Sequence, residues 1–95
     1  MLDPSQVVGF DWDDGNRGKN WIAHRVSDRE TEEVFLNRPL LGPDFDHSAD
    51  EDRLFAAGLT DRGRRLIVFF TIRQARVRVI SARPLTRRER ARLPW

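Results

Sequence analysis

Two different apolar periods run through the second half of the chain. "RLIVFFTI" at 65–72 is apolar at nearly every position from Leu66 to Ile72, which predicts a strand covered on both faces and therefore central in a sheet. "RVRVISA" at 76–82 alternates basic with apolar residues, the period-two pattern of a strand with two unlike faces, and it follows closely enough to pair beside the first. Strict alternation puts Val77, Val79, Ser81 and Arg83 on one face and Arg76, Arg78, Ile80 and Ala82 on the other. Upstream, "RLFAAGL" (53–59) passes through the turn signal "TDRG" into the central run and predicts a hairpin. "LLGPDF" (40–45) reads as an edge strand, since Pro43 misses no ladder donor there.

The first half and the extreme C-terminus carry helix signals. "SDRE" (27–30) and the Thr86–Glu89 pair both match the capping box, in which a hydroxyl and a glutamate three residues on satisfy each other's backbone N–H groups. They predict one helix through Val34 and Phe35, stopped by "NRP" at 37–39, and a second beginning at Thr86. "SADE" (48–51) fits the same template but precedes a strand pattern, so it is read as a false match. "VGFDWD" (8–13) predicts a short first strand whose Asp13 or Asp14 caps a helix through "NRGKNWIAH", weakened by Gly18. The expected order is strand, two helices, four strands and a C-terminal helix, an α+β fold with a mainly antiparallel sheet in one domain over residues 1–95.

Charge changes this picture more than composition does. The formal net charge is only +2, yet residues 1–61 hold six basic and fourteen acidic side chains, while residues 62–95 hold eleven basic and one acidic. Sixteen of the seventeen basic residues are arginine, and Lys19 is the one lysine. Guanidinium stays charged and grips phosphate bidentately, so a basic, arginine-only half points to a polyanion partner. A soluble basic surface written in arginine codons is the plainer alternative. There is no cysteine, which removes disulfides and thiolate metal sites and is compatible with a reducing compartment. The N-terminus lacks a signal-peptide pattern and no run has the length of a membrane span, so a cytoplasmic protein without membrane contact is expected.

Candidate chemistry is sparse. Arg83 stands just before the helix that bears Arg87 and Arg90 one turn apart, an arrangement able to surround a phosphate, whereas arginines shielding an exposed strand would be the bland reading. His24 follows the first helix and His47 lies in the acidic segment "DFDHSADED"; each is a candidate proton carrier or a plain surface residue. Asp44, Asp46 and Ser48 alternate as metal ligands do, but the glycine and glutamate of an EF-hand loop are missing, and no metal or other cofactor is expected. Trp12, Trp21 and Phe35 suit core positions better than base stacking, and Glu30 suits capping better than base catalysis.

Taken together, "FDWDDGNRGKNWIAHRVS", "EEVF", "DHSADEDRLFAAGLTDRG", "FFTIR" and "RVRVISARPLTRRER" resemble BrnT-type toxins of bacterial type II toxin–antitoxin systems, in collinear order from about Phe10 to Arg92. The resemblance implies a small RelE-like ribonuclease fold, RNA cleavage that arrests translation and growth, and a BrnA-type antitoxin that neutralises the toxin and carries the DNA-binding portion, so that DNA is met only through the complex. It transfers the family's functional pattern onto His24, onto Asp46, His47 and Ser48, onto Arg53, and onto Arg78, Ser81, Arg83 and Glu89 with the helix arginines. Arg25 and Gln74 stand where glycine is usual, at positions where φ > 0 is wanted, and "RLPW" stands where a tyrosine is usual, removing a phenol from the expected site.

The expected mechanism is metal-independent attack of a ribose 2′-hydroxyl on the adjacent phosphorus. Arg78, Ser81 and Arg83 would be catalytic with His24 or His47 as proton carrier, and Arg53, Arg76, Arg87 and Arg90 would bind RNA phosphates. The alternatives are a module that grips nucleic acid without cutting it, and a subunit whose arginines only dock an acidic antitoxin segment.

Overall fold

The computed structural model describes residues 7–44 and 52–94. Its elements are β1 (Gly9–Phe10), α1 (Lys19–His24), α2 (Asp28–Leu36), β2 (Leu40–Pro43), β3 (Leu54–Leu59), β4 (Arg65–Arg73), β5 (Arg76–Pro84) and α3 (Arg87–Ala91). This is the predicted order of elements. The strands form one five-stranded sheet in the order β1-β5-β4-β3-β2, antiparallel throughout except for the parallel β1–β5 pair. The continuously apolar strand β4 is central, and the proline-bearing β2 lies at an edge, as their patterns require.

Both helical capping boxes form. In α2 the Glu30 N–H donates to the Ser27 hydroxyl at 3.0 Å and the Ser27 N–H donates to the Glu30 carboxylate at 3.1 Å. In α3 the corresponding Glu89–Thr86 and Thr86–Glu89 bonds are 3.1 and 2.8 Å. The start of α1 differs from expectation. Neither Asp13 nor Asp14 caps it; Gly18, at φ 73°, is its N-cap, a left-handed conformation open to glycine. Asp13 instead organises the preceding turn, its carbonyl accepting from Arg17 N–H at 2.8 Å and its carboxylate from Gly15 N–H at 2.7 Å. The reading of 48–51 as a false helix start lies outside the described residues.

The helices α1 and α2 cover one face of the sheet. Beneath them Val26, Val34, Ala56, Leu66, Val68, Phe70, Val77, Val79 and Ala82 form the main core, whose burial is the chief stabilising term. Phe35 meets Phe10 and Phe70 edge-on, with ring centroids 5.5 and 4.9 Å away, and Trp12 packs at the margin with its indole N–H donated to Glu32 at 2.7 Å. Trp21 is a correction: it is 49% exposed, with the Arg25 guanidinium 5.5 Å over its ring. The opposite face carries a smaller cluster of Ala57, Ile67 and Leu85, joined by Phe55, Phe69 and Leu93. Leu85 and Leu93 flank α3, among the described residues the one helix on that side, and no residue of α3 itself is buried. This side is the open face of the sheet.

A β-bulge overturns the strict alternation expected of β5. Val79 pairs with Phe70, but Ser81 pairs with the next residue, Phe69, so Ile80 is an extra residue with no partner. Parity changes there: Ala82 joins Val77 and Val79 in the main core, while Ser81 and Arg83 move to the face of Arg76 and Arg78. Buried side chains from the first helical region serve the outer edge of β5 around the bulge. Asn16 donates to the Val79 carbonyl at 3.1 Å and Asn20 accepts from the Ala82 N–H at 2.9 Å, satisfying groups that have no neighbouring strand.

Where the family pattern has glycine, the positive φ is retained without it. Arg25 has φ 56°, and Gln74 and Ala75, the two central residues of the β4–β5 hairpin, have φ 51° and 61°. Positive φ at both central positions is the demand of a two-residue hairpin turn, which Asn-Gly usually meets.

Candidate active site

The open face gathers Arg76, Arg78, Ser81 and Arg83 from β5 next to Thr71, Phe69 and Ile67 of β4. Arg53, just before β3, reaches the same face by alternation from Phe55. Each of the three arginines nearest the centre is held by a carboxylate.

Arg78 donates both terminal nitrogens to Asp13, at 3.0 and 3.1 Å, and lies 3.5 Å from Asp11. Its side chain is 17% exposed. The Arg78 hydrogen bond is the main cause holding the Asp13 carboxyl below the ordinary range, with help from the Gly15 N–H. β1 positions both aspartates: the Asp11 N–H donates to the Val77 carbonyl at 2.8 Å, which lays the chain after Phe10 beside Arg78.

Arg83 donates both terminal nitrogens to Glu89, at 2.7 and 2.9 Å. The Arg83 bonds are the largest influence on Glu89; with the Thr86 backbone N–H they outweigh burial and bring its pKa down to about 2. Glu89 therefore does two jobs at once, closing the capping box of α3 and fixing the guanidinium of Arg83. That guanidinium lies 5.7 Å over the ring of Phe69, a cation–π distance.

Arg53 is less fully satisfied. Its Nε is 3.8 Å from Asp44 and, although buried, has no hydrogen-bond partner among the described residues. Asp44 is itself buried and donates its N–H to the Arg53 carbonyl at 2.9 Å, which holds the two side by side.

The remaining candidates are dispersed. Arg76 is exposed at the hairpin end of β5, and Arg87 and Arg90 are exposed on α3. His24 is exposed at the end of α1, in the helix layer, and its side chain makes no hydrogen bond or ion pair among the described residues. Its backbone carbonyl accepts from Arg64 at 3.4 Å, and the same guanidinium donates to the Arg25 carbonyl at 2.7 Å and to Glu30. Asp46, His47 and Ser48 lie outside the described residues.

Chemically, this face offers fixed positive charge. Two ionised carboxylates preorganise two guanidinium groups; Arg83 Nη1 also donates to the Pro84 carbonyl at 3.2 Å, and N–H groups beyond these can meet an anion. Asp13 and Glu89 are held ionised, so neither is a proton donor near neutrality. Sequence reasoning missed Asp11, Asp13 and Arg64: their partners stand tens of residues away, and no local pattern announces them.

A family model described as a ribonuclease toxin, BrnT, of type II toxin–antitoxin systems matches residues 12–89. No curated protein matches the chain.

Proposed function

Since the chain belongs to the BrnT family, the ribonuclease toxins of type II toxin–antitoxin systems, we propose that its open face is where RNA is cut, without a metal ion. The toxin's RNA substrate and its antitoxin partner follow from the family. This reading rests on one feature of β5: the bulge at Ile80 puts Arg76, Arg78, Ser81 and Arg83 on a single face that α1 and α2 leave uncovered.

RNA carries its own nucleophile. The 2′-oxygen attacks the adjacent phosphorus, its proton passes to a base, and the 5′-oxygen departs with a proton, leaving a 2′,3′-cyclic phosphate and a 5′-hydroxyl end. The protein must orient the phosphate, stabilise the extra negative charge on the phosphorane and move the protons. Arg83 and Arg78 suit the first two tasks, being charged, planar and already oriented by Glu89 and Asp13. Ser81, between them, has a hydroxyl to donate to a phosphate oxygen. Arg53, Arg76, Arg87 and Arg90 extend the positive surface for flanking phosphates. Of the two histidines, His47 takes the proton-transfer role in this reading: Asp13 and Glu89 are held ionised by arginine, and His24, expected to share the role, stands in the helix layer on the other side of the sheet from Arg78 and Arg83.

The partner is a BrnA-type antitoxin that covers the same basic surface, with DNA reached only through the complex. The setting is the cytoplasm; among the described residues no helix is long and apolar enough to cross a membrane.

The test is cleavage of end-labelled RNA by the purified chain in EDTA, beside Arg83→Ala, with the product termini identified. Cyclic-phosphate and 5′-hydroxyl ends, with a rate loss in the variant of roughly 2–4 kcal/mol, the scale of losing one charge-stabilising donor, are expected. Unchanged cleavage by folded Arg83→Ala would remove that residue's role.

A further inference from the structure

We propose that Phe55 and Phe69 form a stacking floor for one unpaired RNA base, between phosphates held by Arg78 on one side and Arg83 on the other; the proposal rests on reading the open face as the RNA site. The two phenylalanines are direct cross-strand partners in the middle of that face, in a row that runs Gly42, Phe55, Phe69, Ser81 from β2 to β5. Both are partly exposed, whereas Phe70, the next residue along β4, is fully buried under the helices. Both rings pack at their base against Ala57, Ile67 and Leu85, and the part of each that stays exposed is apolar surface that a ligand can cover.

Their placement suits a flat ligand. A Cβ built on Gly42 would lie 2.6 Å from Cε2 of Phe55, so the Phe55 ring leans across β2 instead of standing up from the sheet. Gly42 leaves the space that lets it do so. On the β5 side, the Arg83 guanidinium lies 5.7 Å over the Phe69 ring. The row holding Arg78 and the row holding Arg83 lie two residues to either side along β4, about 7 Å each way at strand rise. An apolar π surface between two guanidinium groups matches a nucleotide, whose base and phosphate are joined through one ribose. Any base has a π face, so the floor is tolerant of sequence, and only an unpaired base reaches it, which makes single-stranded RNA the ligand class.

The experiment uses short single-stranded RNAs blocked at the 2′-position so that they bind without being cut. One series carries a single abasic site moved along the strand, and a second carries 2-aminopurine in its place. Affinity for the intact RNA should fall roughly 5- to 100-fold in Phe69→Leu, the worth of one stacked base. One abasic position should cost wild type a similar factor and cost Phe69→Leu almost nothing. 2-Aminopurine at that position should be quenched on binding to wild type and to Phe69→Tyr, but not to Phe69→Leu; Phe55→Leu should give a smaller loss of the same kind. If Arg78→Ala and Arg83→Ala bind as wild type does, the open face is not the RNA site and the underlying reading fails. If those variants weaken binding while Phe69→Leu and Phe55→Leu match wild type on intact and abasic RNA, the site stands and the stacking floor is overturned. Loss of antitoxin binding by the leucine variants, with RNA binding intact, would overturn it in favour of a protein seat.

Discussion

Arg83 and Glu89 meet fork to fork across the turn between β5 and α3, each terminal nitrogen of the guanidinium donating to one carboxylate oxygen at 2.7 and 2.9 Å. The same carboxylate caps α3 through the Thr86 N–H at 2.8 Å. One acidic residue thus couples the start of the last helix to the arginine best placed to hold a phosphate.

That coupling has a pH signature. The Glu89 pKa is depressed from 4.5 to about 2 in the folded chain, so its stabilising contribution is fully present above pH 4.5 and is lost as pH falls from there towards 2. The pair is about 30% exposed; after solvent screening the contribution is roughly 1–2 kcal/mol. Urea unfolding at stepped pH should show wild type losing that much more stability than Glu89→Gln between pH 5 and 2. Parallel curves would show that the pair does not stabilise the fold.

Asp13 takes one N–H from each terminal nitrogen of Arg78, so it both orients the guanidinium and leaves fewer donors for a phosphate. Asp13→Asn removes a negative charge from the site and frees donors of Arg78, so RNA should bind several-fold tighter at low salt, with a steeper salt dependence. Fluorescence anisotropy against blocked RNA checks this. Weaker binding would mean that orienting Arg78 matters more than releasing it.

Arg64 ties the junction of α1 and α2 by donating to the Arg25 carbonyl and to Glu30. Arg64→Ala leaves these acceptors without their charged donor and should cost roughly 1.5–3 kcal/mol. Arg64→Lys should recover only part, because an ammonium lacks the planar fork. Hydrogen exchange at Val26, whose N–H donates to Asn20 at the same junction, should quicken in Arg64→Ala; unaltered exchange would count against the tie.

The β4–β5 turn holds Ala75 at φ 61°, where a Cβ is strained by about 1–2 kcal/mol and glycine is not. Ala75→Gly, less the extra unfolded-state entropy of glycine, should stabilise the chain by roughly 0.5–1 kcal/mol. The Val8 N–H to Ala75 carbonyl bond is unaffected. A lower urea midpoint would refute this.

The parts of the fold legible from residues alone were the local ones. Both capping boxes join residues three apart, the hairpins join neighbouring strands through short turns, and a run apolar on both faces has to be central, because only a strand covered on both sides hides it. Positive φ at Arg25 and Gln74 was expected only through the family resemblance, in which glycine is usual there, and the chain meets it without glycine. Trp21 shows the limit of such reasoning: an aromatic residue on a short helix looks like core until the packing shows that its face is turned outward.

The arginine-rich half, its strand-to-helix placement and the resemblance to a toxin family were determined by the sequence. Which arginines share a face was decided by the tertiary structure. The extra residue at Ile80 carries no signal in a pattern of period two, because its cause lies elsewhere: Phe70 and Val79 must meet in the main core, Phe69 and Ser81 on the open face, and Asn16 and Asn20 must satisfy the edge between them. Likewise, Asp13 reaches Arg78 only because β1 lies parallel to β5, across 65 residues of chain. Contacts within one helical turn or hairpin are set by local backbone geometry, whereas a bulge and a parallel pairing are set by packing between segments that meet only after the chain has folded.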